Sequence, residues 1–151
     1  MAGMSENGGG APLHLLKMAV GIADIDGLRR VRAERIRQYG GSWVYTRNHP
    51  RRAAAVLAGG SLYWVIRGHV RVRQAIVGFK SARDANGRSC CLIAVDPELV
   101  PTVSRPWRPF QGWRYLSPAD APPDLATAAE GVPGAAMPER LVAELRALGL
   151  W

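Results

Sequence analysis

Residues 61–80 read SLYWVIRGHVRVRQAIVGFK, and the way this stretch folds decides the architecture. Taken with a period of two, Leu62, Trp64, Ile66, Val70 and Val72 form one face, while Tyr63, Val65, Arg67, His69, Arg71 and Arg73 form the other. The second face grades from aromatic to basic. Two features compete with a single unbroken strand. Gly68 followed by His69 suits a two-residue hairpin turn with glycine first, which resets the faces, and Val72, Ala75, Ile76 and Phe79 also match helical spacing. The many β-branched residues and recurrent glycines favour strands. On this reading Trp64 is core and Tyr63 is not.

Downstream, RDANGR (83–88) carries Asn86-Gly87, a strong hairpin signal, and leads into SCCLIAVDPELVPTV (89–103), so the sheet is at least partly antiparallel. Pro97, Pro101, Pro106 and Pro109 then carry an extended segment into FQGWRYL (110–116), and the Pro/Ala-rich 117–136 reads as irregular. The stretch MPERLVAELRALGLW (137–151) has Pro138 near its start and Leu141, Val142, Leu145 and Leu148 on one face, the pattern of a short amphipathic helix stopped by Gly149.

Upstream, the apolar run between Pro12 and Gly21 is too short for most helices and reads as a buried strand. Asp24 or Asp26 can cap a helix over 26–40, with Ile25, Leu28, Val31, Ile36 and Tyr39 as its apolar stripe and Gly40 as its stop. The opposite face carries Arg29, Arg30, Arg32, Arg35 and Arg37, with Glu34 the one acid among them. SWVYTRN (42–48) alternates as a strand, and Pro50 precedes a short helix that ends at Gly59-Gly60. Residues 1–11 have nothing to bury and read as a disordered tail, leaving 12–151 as one domain. The fold class expected is α+β: a mainly antiparallel, bent sheet with one longer and two short helices. A small barrel of the pseudouridine-synthase-associated type is the alternative form of that sheet.

The formal charge is +8 and the isoelectric point about 10.5, which favours anionic partners such as nucleic acid, phosphorylated metabolites or anionic lipid. Nearly all of that charge is arginine, with lysine only at Lys17 and Lys80, so coding bias offers a competing explanation. No run reaches the roughly 20 apolar residues of a membrane helix. The stretch Leu13 to Ala23 is interrupted by Lys17 and follows Glu6 and a glycine run, unlike a signal peptide, so a cytoplasmic location is expected. Cys90 and Cys91 are adjacent, which strains an ordinary disulfide, and they read as reduced filler.

The stretches LHLLKMAVG, GGSLYWVIRG with the following RQAI, DPELVPT and PFQGWRYL, in this order and spacing, resemble a proteobacterial family of unknown function, DUF1489. The similarity runs from about Leu13 to Leu125. It implies no activity, cofactor or site residue, so the chemistry rests on the residues themselves.

His14, His49 and His69 share no ligand spacing with one another or with the cysteines, and no metal or cofactor is expected. Neither a nucleophile elbow nor a phosphate loop is present. The acid–base candidates are Asp96 and Glu98 at a strand end, where a turn would want the same residues, and His49 among the arginines of RNHPRR, where a solvated loop histidine is the plainer reading. RPWRPFQGWRYL (105–116) sets Trp107, Phe110, Trp113 and Tyr115 among Arg105, Arg108 and Arg114. Phe110 and Trp113 are expected to anchor this segment, leaving Trp107 and Arg108 outside. The expected function is a binding module for RNA or another polyanion, using Tyr63, Arg67, Arg71, Arg73, Arg105, Trp107, Arg108 and Arg114. One rival is a small enzyme acting on a phosphorylated or nucleoside-like substrate, with Asp96, Glu98 or His49 moving protons. Another is a structural subunit whose arginine-rich helix docks on an acidic protein.

Overall fold

The computed structural model describes residues 11–130. Its organising element is the long strand β4 (His69–Arg83), placed by two tight turns. At one end, Arg67 and Gly68 both have positive φ (49° and 80°), the signature of a type I′ turn, and fold β3 (Ser61–Ile66) back onto β4 with Ile66 opposite His69. At the other end the Asp84 carboxylate accepts the amides of Asn86 and Arg88 at 2.9 and 3.0 Å, and Gly87 supplies φ 78°. That turn returns the chain as β5 (Ser89–Val95), antiparallel to the second half of β4.

Strand β6 (Val100–Pro106) continues along the same edge, pairing with the first half of β4 after a turn at 96–99. The other strands are β1 (His14–Met18), β2 (Trp43–Thr46) and β7 (Trp113–Leu116). The seven-stranded sheet runs β2-β5-β4-β3-β1-β7 with β6 off this path beside β4. Among the described strands only β1 and β3 pair in parallel, and the crossover between them contains α1 (Ile25–Tyr39), β2 and α2 (Ala53–Leu57). A Cβ on Gly60 would lie 2.1 Å from the Leu13 carbonyl, so glycine is what lets the end of α2 meet the sheet.

Two bulges reshape β4. Trp64 faces Val72 and Val65 faces Val70, so Arg71 is an extra residue, and Val77 is another between Ile76 and Gly78. The two-residue turn sets Val70 opposite Val65, on the Tyr63 face and against the alternation, and the first bulge then returns Val72 to the face of Trp64. Both faces are then covered. Leu62, Trp64, Ile66, Val72 and Ile76 pack with Ile25, Leu28, Val44, Val56 and Ile93 in one core. Leu16, Tyr63, Val65, Val70 and Leu116 form a second core beneath Met18, Trp107, Phe110 and Ala121. Every residue of β3 is buried, and Tyr63 is only 5% exposed, which overturns its expected exposure. The segment 107–121 folds over it.

Gln74, wholly buried, joins the first core to the turn after β5. Its Oε1 accepts the Trp64 indole at 2.9 Å and its Nε2 donates to the Asp96 carbonyl at 2.9 Å. Polar groups so deep are tolerated because each is paired.

The sheet does not close into a barrel. A barrel needs a continuous ladder, whereas among the described residues no ladder pairs the edge strands β2 and β7, which are joined through the loop after β2. The Trp113 Nε1 donates to the Asn48 carbonyl at 2.8 Å, and the Arg52 amide donates to the Tyr115 hydroxyl at 3.0 Å.

Helix α1 is capped by Asp24, whose side chain accepts the Gly27 amide, and stopped by Gly40 at φ 74°. Its buried residues are Ile25, Leu28 and Arg32, with Ile36 half-buried, a stripe at helical spacing; Val31 and Tyr39, expected on it, are exposed. Arg32 therefore faces inward, donating to the Trp43 carbonyl at 3.0 Å. A third helix, α3 (Leu125–Glu130), forms in the stretch expected to be irregular. Alanine is the best helix former, and Leu125 gives the turn a buried anchor. The helix expected over 137–151 and most of the expected tail lie outside the described residues. Among those described, no helix is long and apolar enough to cross a membrane.

Candidate nucleic-acid interface

Arg67 is the one described residue other than glycine with positive φ. For an L side chain this conformation costs roughly 1–2 kcal/mol. The turn it occupies gathers other cations: the Trp107 amide donates to the Gly68 carbonyl at 2.8 Å, and β6 places Arg105 opposite Val70 and Pro106 opposite His69. Arg67, Arg105, Trp107 and Arg108 thus meet at one end of the sheet. Trp107 is half-buried on the second core, with the Arg105 guanidinium 5.5 Å above its ring. Arg105 also lies 3.5 Å from Asp120, an exposed pairing. Arg114 repeats the arrangement, 5.6 Å above the ring of Phe110.

Phe110 and Trp113 anchor the segment as expected, on the second and the first core respectively. Trp107 does not stand free. It is the floor on which Arg105 lies, so the outward layer here is guanidinium: Arg67, Arg105, Arg108 and Arg114 are all exposed, and Arg71 is half-buried at its bulge. Stacking on aromatic rings holds a guanidinium flat while leaving N–H donors directed outward.

Tyr63 and Arg73 belong elsewhere. Arg73 is bound by Asp124 through Nε–Oδ1 at 2.7 Å and Nη2–Oδ2 at 2.8 Å, and its Nη1 donates to the Ser61 hydroxyl at 3.0 Å. The hydrogen bonds to Asp124 raise the Arg73 pKa against the lowering effect of burial. The pair fastens the start of α3 to the sheet. Next to it, His14 Nδ1 accepts the Ser61 amide at 3.0 Å, and its ring stands edge-on to Tyr63 at 5.0 Å. Burial, then the charge of Arg73, pushes the His14 pKa down. Burial pushes the Tyr63 phenol up, with Arg73 opposing and Asp124 assisting. This polar cluster was missed in the sequence for His14, Ser61 and Asp124. A histidine in an apolar strand is a weak signal, and nothing local marks Asp124 as a partner of Arg73.

The acid–base candidates are not assembled. Asp96 Oδ1 accepts the Glu98 amide at 2.9 Å, which makes it a turn residue, and Glu98 is exposed. His49 lies with Nδ1 3.2 Å from the Pro50 carbonyl and its ring 5.5 Å from Phe79. Among the described residues no hydrogen bond joins the side chains of these three, and no group of ligating side chains is placed to hold a metal ion.

A family model described as "Protein of unknown function (DUF1489)" matches residues 15–151. The chain belongs to this family. No curated protein and no solved structure matches it. In this DUF1489 chain the matched range takes in the Arg67 turn, the segment 105–114 and the polar cluster apart from His14.

Proposed function

We propose that this chain binds RNA or another polyanion through the guanidinium groups of Arg67, Arg105, Arg108 and Arg114. The observation that carries the reading is Arg67. An exposed arginine sits here where glycine or asparagine would relieve strain, and residues held in such conformations concentrate at functional sites. The two arginine–aromatic stacks support it, since they present charge without spending it on buried pairs. So does the formal charge of +8. The enzymatic alternative is less well served, because the Asp96 carboxylate is engaged by the Glu98 amide.

The test is a titration at low salt with two probes, a short oligouridine and inorganic polyphosphate. Binding of both is expected. Failure of both to bind overturns the reading.

A further inference from the structure

The outer face of β2, β5 and the second half of β4 has no described element packed against it. Helix α1 covers the other side, where Ile25 and Leu28 meet Val44 and Ile93. Because side chains alternate along a strand, the residues between these point away from α1. The register aligns them in two rows: Trp43, Ala94 and Gly78, then Tyr45, Leu92 and Lys80. Tyr45 is 48% exposed and Val77, displaced at its bulge, 65%. A Cβ on Gly78 would meet nothing closer than Ala94 at 3.9 Å, so the small residues leave open space beside the rings.

Cations predominate at the turn end of this surface. Lys80 Nζ stands 5.9 Å from the centre of the Trp43 ring, and Arg47, Arg83 and Arg88 are exposed at the β4–β5 turn or the end of β2. The acid among them, Asp84, is already engaged by the amides of Asn86 and Arg88 and by Arg47 at 3.3 Å. An open aromatic ring within a rim of cations complements a chain that carries flat bases and phosphates together. A duplex hides its base faces; a single strand offers them.

We propose that this face, with Tyr45 as its stacking group and Lys80 as its phosphate partner, binds the bases of single-stranded nucleic acid. The inference rests on the polyanion reading above and names the class of polyanion. The guanidinium cluster at the Arg67 turn holds phosphate, and Tyr45 distinguishes a strand with bases from one without.

The experiment compares Tyr45→Thr, which keeps a strand-forming residue, and Tyr45→Phe, which keeps the ring, using oligouridine and inorganic polyphosphate on the full chain. Tyr45→Thr is expected to weaken oligouridine binding about fivefold or more, the loss of one stacked base. It leaves polyphosphate binding unchanged, and Tyr45→Phe stays within about twofold of the parent for both probes. Unchanged oligouridine binding in Tyr45→Thr overturns the platform and leaves the polyanion reading standing. An equal loss for both probes also overturns it, because the effect is then on charge or folding and not on bases. If the parent chain binds neither probe, both proposals fall.

Discussion

The Trp113 indole donates to the Asn48 carbonyl at 2.8 Å, joining strand β7 to the loop that follows β2, two edges of one sheet that no ladder connects. The Tyr115 hydroxyl accepts the Arg52 amide at 3.0 Å from the same loop. The bent sheet is thus clasped through side chains where a barrel would use backbone. Tyr115→Phe keeps the ring and removes one bond, which should cost about 1 kcal/mol, while Trp113→Phe removes the other bond together with part of the indole packed on the first core and should cost more. Urea denaturation of the single and double variants measures this; a double variant as stable as the parent would show that the clasp contributes nothing.

Tyr63 and Trp64 are adjacent and face opposite cores, each 5% exposed. Alanine at either position should cost about 3–5 kcal/mol, the range for large buried aromatics. Gln74→Leu should cost about 1–3 kcal/mol, since it leaves the Trp64 indole and the Asp96 carbonyl without partners. A Tyr63→Ala variant much more stable than Trp64→Ala would return Tyr63 to the surface.

The contrast between these residues shows what the sequence discloses. Asn86-Gly87 states its turn locally, and Asp24 and Gly40 bound α1 by the chemistry of caps, so those elements were legible. Arg71 carries no mark of being a bulge, yet as the extra residue it returns Val72 to the face of Trp64 after the turn at Arg67-Gly68 has set Val70 on the opposite one. Alternation alone also cannot tell a solvated face from one roofed by a distant segment, which is why Tyr63 was misplaced. The same limit applies to the site. The exposure of Arg67, Arg105, Arg108 and Arg114 could be read from their neighbours, whereas the capture of Arg73 by Asp124, fifty-one residues away, depends on where α3 docks.

His14 makes stability depend on pH with a definite sign. Its pKa is lowered from 6.5 in the folded chain, so the unfolded chain takes up the proton more readily. The histidine therefore contributes stability above about pH 6.5, and this is lost as pH falls toward the depressed folded value. The denaturation midpoint should decline from pH 7 to pH 5, and His14→Asn, which retains an acceptor for the Ser61 amide, should flatten that decline. An identical decline in the variant would place the titration elsewhere.

Arg67 should trade stability for binding. Arg67→Asn puts a residue that tolerates positive φ in the turn and should stabilise the fold by about 1 kcal/mol while weakening the polyanion complex. A thermal melt and a binding titration on the same sample test both effects. A variant that is stabilised and binds as tightly as the parent would mean that strain at this turn serves no ligand.

The salt dependence of oligouridine affinity tests the central claim most directly. Four guanidinium contacts and the Lys80 contact to a single strand release counterions with a log–log slope near −0.7 per contact, so the parent should show a slope of roughly −3.5. Arg67→Ala/Arg108→Ala removes two exposed cations and no core contact, and should reduce the slope by about 1.4 with little change in melting temperature. A parent slope near zero, or a double variant whose slope matches the parent's, would contradict the assignment of this surface.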